Sequence, residues 1–255
     1  MPDSPEFAPL LKDSLPFCIL GGLCPLIPLP WLDDWALNHF QKNLLRKVSA
    51  RRGVQLSDRD LEILARGYEE KRGCLFSFFM FPFQLIVFFL LRPAKQIMKK
   101  MTVIFAVKEA ADMTSRLLHQ AVLTDHAARS QLIQSSPASG ATNEERDTHK
   151  KQLLATAALI NGTCSRLDTR PLNQLIKRTL KSSRLLLGSV IAAFLLWARK
   201  IRQGLRQTGE FEEFAGSEEE LKRLSADLTA ELLLKENYFS QVIRTFDEFK
   251  AKAPT

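Results

Sequence analysis

Tyrosine occurs twice and tryptophan three times in this chain, against 17 phenylalanines, so the aromatic content is nearly all Phe. His39, His119, His126 and His149 make no H-E-x-x-H pair, and neither G-x-S-x-G nor a phosphate-binding loop is present. The usual signatures of zinc hydrolases, serine hydrolases and P-loop nucleotide enzymes are therefore missing. Cys18, Cys24, Cys74 and Cys164 contain no C-x-x-C pair, and three of them lie in apolar runs. Reduced thiols, buried or lipid-facing, are the expectation, with no metal site and no cofactor. Zinc-finger spacing, RNP-like aromatic motifs and recognition-helix patterns are also lacking, so nucleic acid is not an expected partner. Asp3, Glu6, Lys12 and Asp13 give the first fourteen residues the wrong sign for a signal-peptide n-region, and no small-x-small cleavage site follows. Without a secretory route the triplet Asn161-Gly162-Thr163 carries no weight as a glycosylation acceptor. Internal repeats and convincing strand alternation are absent too, which leaves an all-α fold: a helical bundle with apolar, proline-broken, membrane-dipping segments.

Its 255 residues suffice for one large domain or two small ones. Mean hydropathy is close to zero, low for a polytopic transporter. The net charge of +8 is uneven: residues 92–184 carry sixteen basic and seven acidic groups, whereas both flanking regions are nearly balanced. A solvated helix face explains such a surplus, and so does attraction to anionic headgroups at roughly 1 kcal/mol per basic residue.

Three apolar runs organise the chain. Residues 15–32, "LPFCILGGLCPLIPLPWL", hold four prolines and two glycines, so a shallow re-entrant hairpin is expected rather than a straight helix. An amphipathic helix follows from Asp33 as N-cap, with Leu37, Phe40, Leu44 and Val48 on one face, and Gly53 ends it. Asp33, Asp34 and His39 invite an acid–base reading, but Asp33 is better used as the cap and His39 falls toward the polar face. Ser57 and Asp60 resemble a capping box for the next short helix. Residues 74–91, "CLFSFFMFPFQLIVFFLL", are uncharged over a length that suggests a membrane span, with Pro82 as a kink. A long helix is expected from Pro93 to Ile133, then a polar linker over 134–149, separating an N-terminal region (1–133) from a C-terminal one (150–255), the two possibly integrated. Helical pattern resumes from Lys150 to Asn161. One helix is expected from Pro171 to Gly204, with the third apolar run at 185–197, and a last helix from Ser217. That last helix carries a stripe of Leu221, Leu224, Leu228, Phe239, Val242, Phe246 and Phe249, and its acidic segment has the charge to dock on the basic middle third.

Tryptophans coincide with the ends of these runs. Trp31 closes the first, Trp35 lies one turn later, and Trp197 closes the third. Indole rings favour the headgroup level of a membrane; ordinary core packing is the alternative, and the charge clusters next to all three favour the membrane. Basic residues flank both ends of the second and third runs, among them Lys95, Lys99, Lys100, Lys177, Arg178 and Lys181. A simple crossing biases positive charge to one side. The two-sided pattern therefore reads as segments dipping in from one face, with Phe76, Phe79, Phe83, Phe88, Leu187, Ile191 and Phe194 in apolar contact.

The order P-x-P-x-x-D, Gln41, Leu44–Leu45, basic residues and then Gly53-Val54-x-Leu56-Ser57 resembles a bacterial membrane-associated domain of unknown function found C-terminal to some Era-like GTPase domains. The likeness covers about residues 15–60, and no GTPase domain is encoded here. It implies a location at a bacterial inner membrane and nothing about nucleotide chemistry.

The expectation is thus a non-enzymatic protein on the cytoplasmic face of the inner membrane, binding anionic lipid and scaffolding or regulating a membrane protein partner. The alternative is a soluble helical carrier holding lipid or another apolar ligand in a Phe-lined cavity. A membrane enzyme is a third reading, without a visible acid–base or metal set.

Overall fold

Seventeen residues from Phe7 to Leu23 form the first helix, α1, with Pro16 inside it. Pro16 cannot donate to the Lys12 carbonyl, a defect of roughly 3 kcal/mol. Leu10, Leu11, Leu15, Ile19, Leu20 and Leu23 are each at most 2% exposed, and full burial is worth roughly 1.5–3 kcal/mol per such side chain. Burial wins. The expected re-entrant hairpin over 15–32 is corrected accordingly: residues 15–23 are interior helix, and the chain turns through a 3-10 segment at Cys24–Leu26. The second helix begins at Pro30, three residues before the expected cap Asp33, and proline suits a first helical position because its missing N–H has no partner there anyway.

The computed structural model describes residues 7–26, 30–66, 95–138, 140–183, 187–194, 196 and 219–252. Every regular element among them is helical: α1, α2 (Pro30–Arg51), α3 (Asp58–Arg66), α4 (Lys95–Arg129), α5 (Asn143–Cys164), α6 (Arg170–Ser182), α7 (Glu219–Leu233) and α8 (Glu236–Lys252), with a further helical stretch at 187–194. No helix of the described residues is long and apolar enough to cross a membrane.

Gly53 ends α2 with φ of 74°, and the Val54 N–H reaches back to the Ser49 carbonyl, the geometry that a left-handed glycine permits. Ser57 Oγ accepts from the Asp60 N–H at 3.3 Å and so caps α3. The segment expected as a linker over 134–149 is shorter than its composition implied. Thr142 and Glu145 form a reciprocal capping box that starts α5 at Asn143. Before it Ser136 is docked: its N–H donates to the Gln55 carbonyl at 2.8 Å, and its Oγ accepts from the Ser57 N–H at 2.6 Å.

Two long helices were expected near the C-terminus, and both are interrupted. α6 stops at Ser182, where Ser182 Oγ bonds to the Thr179 carbonyl, a local competitor of the helical ladder. α7 and α8 are separated by a turn at Leu234–Lys235. The apolar stripe survives the break, with Leu221, Leu224, Leu228, Phe239, Val242 and Phe246 all buried.

All described helices share one core, in which α1 and α4 approach closely. A Cβ on Gly22 would sit 2.7 Å from the Ala110 carbonyl oxygen and would also collide with Thr114, while one on Gly21 would strike Leu117. Gly22→Ala should therefore destabilise the fold by about 1–3 kcal/mol, as overpacked cores do. A urea titration checks this. An unchanged midpoint would mean that the two helices do not meet at Gly22.

Candidate membrane-facing pole

Polar contacts fix the direction of each helix relative to α4. On α2, Gln41 donates to Gln120 at 2.6 Å and Arg52 holds Asp125 at 2.8 Å, so α2 runs parallel to α4. Asp13 of α1 lies near Lys47 at 3.8 Å, whereas Gly22 sits beside Ala110 and Thr114, so α1 runs the other way. α3 is antiparallel to α2: Lys42 pairs with Glu62 at 2.9 Å, Arg46 with Asp58, and Gln41 donates to the Ala65 carbonyl. Along α5 and α6 the partners on and beyond α4 descend as the chain ascends. Thr156 donates to the Leu132 carbonyl, the Tyr238 hydroxyl joins Asp168 to His119, and Asn173 donates to Asp112 at 2.7 Å.

The α1–α2 turn and the last turns of α6, with Lys177, Arg178 and Lys181, thus point toward the end of the bundle where α4 begins, but the turn lies beside the middle of α4, near Ala110 and Thr114, as Asn173 lies beside Asp112. Lys95, Lys99 and Lys100 belong to the first turns of α4, and Trp31 and Trp35 to the first turns of α2. Arg178 and Lys181 are exposed and Lys177 is half-buried. Trp35 is half-buried, stacked on His39 at 5.6 Å between centroids and packed on the core, so it serves the bundle as much as any interface.

In the third apolar run Leu187 and Phe194 are buried, Phe194 lies 5.9 Å from Phe40 between ring centroids, Ile191 packs partly buried against the core, and Leu196 is exposed. The side chains of Leu187, Ile191 and Phe194 are turned toward protein because Val190 and Phe194 complete the same buried cluster. Trp197 and the four phenylalanines Phe76, Phe79, Phe83 and Phe88 lie outside the described residues.

The sequence reading missed a stripe of buried polar groups on α4, comprising Thr114, Ser115, His119, Gln120, Thr124 and Asp125. Their signal was available as polar residues on the inward face of a long helix, but their partners were not. The Tyr238 hydroxyl donates to the Asp168 carbonyl at 3.1 Å and lies 2.7 Å from His119 Nε2. Burial drives His119 down to about 4, the Ser115 backbone opposing part of the shift. Burial also pushes Tyr238 up to about 12, helped by the Asp168 charge. At the opposite pole Asp60 accepts from Ser57 at 2.8 Å and from Ser136, and faces His149 at 3.4 Å. Burial alone would raise its carboxyl, but the contacts from Ser136, Ser57 and His149 outweigh it and hold the group below its usual value. Near this pole lies a cleft of about 390 Å³ that includes Arg52, Arg129 and Gln131. Among the described residues no group of three or more His, Cys, Asp or Glu is placed to hold a metal ion.

His119 has its folded pKa below its unfolded value, so burying the neutral ring contributes stability above pH 6.5 that is lost as pH falls toward 4. The loss amounts to roughly 3 kcal/mol over that window. Urea midpoints measured at pH 7 and pH 4 check it: the wild type should lose more stability than His119→Gln, and equal losses would contradict the buried neutral imidazole. Comparison with known proteins finds no matching family model, no matching curated protein and no matching solved structure.

Proposed function

We propose that the protein is a non-enzymatic helical protein held on the cytoplasmic face of a membrane, where it binds lipid and scaffolds or regulates a membrane protein. A bacterial inner membrane is the location that the resemblance over residues 15–60 favours. The observation that carries this reading is the uncharged eighteen-residue run 74–91 with Arg92, Lys95, Lys99 and Lys100 directly after it in the chain.

The proposal is narrower than three inserted wedges. Residues 15–23, Leu187 and Phe194 belong to the protein's own core, so the apolar contact with lipid falls to residues 74–91, with Phe76, Phe79, Phe83 and Phe88 as its contact residues. An apolar stretch of eighteen residues is long enough to enter the hydrocarbon layer deeply. A second reading is favoured by the phenylalanines of the same run: a carrier whose run 74–91 walls a cavity for an apolar ligand. Native mass spectrometry of detergent-free protein separates the two, because a carrier retains a stoichiometric ligand.

Fractionation of cells producing the chain tests the membrane reading. The wild type should stay with membranes through a high-salt wash, and replacing Phe76, Phe79, Phe83 and Phe88 by Ser should release most of it. A wild type found wholly in the soluble fraction at low salt would overturn it.

A further inference from the structure

We draw no further inference here: the strongest candidate, the cleft of about 390 Å³ at the C-terminal ends of α2 and α4, draws its charge from Arg52 and Arg129, but Asp125 holds Arg52 at 2.8 Å and a cation at a helix C-terminus already answers the helix dipole, so nothing in the structure shows what ligand fills it.

Discussion

Two glycines with no room for a methyl group set the geometry of the bundle. Gly21 and Gly22 let α1 approach α4 until their neighbours are Leu117, Thr114 and the Ala110 backbone. Only that approach allows a helix so apolar over residues 15–23 to be covered on all sides, with Leu15, Cys18 and Leu20 at zero exposure. Once α1 is seated, α2 must return along it, and the ion pairs of Asp13 with Lys47 and Arg51 follow. Close packing here is steric rather than electrostatic, so it tolerates little change in volume.

The polar stripe on α4 then decides direction. Each hydrogen bond adds only about 0.5–1.5 kcal/mol net, but an unpaired buried group costs about 1–3 kcal/mol. Such groups select one arrangement by penalising the others. Gln120 is satisfied by Gln41 and by the Leu64 carbonyl, Asp125 by Arg52, and His119 by Tyr238. Sliding α2 or α8 along α4, or reversing either, would strand several of them at once. The consequence reaches the surface: with directions fixed, the α1–α2 turn and the end of α6 both point toward the start of α4.

Local signals in the sequence carried much of the fold. Gly53 as a stop, Ser57 as a cap and the stripe from Leu221 to Phe246 are short-range facts, decided within a few residues by backbone freedom, capping and periodicity. Pro16 was illegible because its helix is held by tertiary burial that outweighs a local defect. For the same reason residues 187–194 read as a membrane segment: an apolar helix destined for a protein core and one destined for lipid have the same composition. Thr142 and Glu145 were a readable capping box overlooked within a polar stretch. The pairing of Tyr238 with His119 and of Arg52 with Asp125 spans 119 and 73 residues, and no single-sequence pattern encodes such partners. The helix directions are a consequence of those pairings, so the basic residues were visible singly and the way their helices point was not.

Which end of the bundle meets lipid is measured most directly by energy transfer from a fluorophore on the protein to an acceptor in the bilayer. With the native cysteines replaced, a label is attached at Ser182, after the basic turns of α6, or at Ser130, just past the end of α4. The two positions are separated by roughly 35–40 Å along the α4 axis, from the helical rise and the antiparallel register. Bound to phosphatidylglycerol vesicles, the label at position 182 should transfer strongly and the one at position 130 weakly. Equal transfer, or the reverse order, would contradict a bundle that stands on the pole where α4 begins.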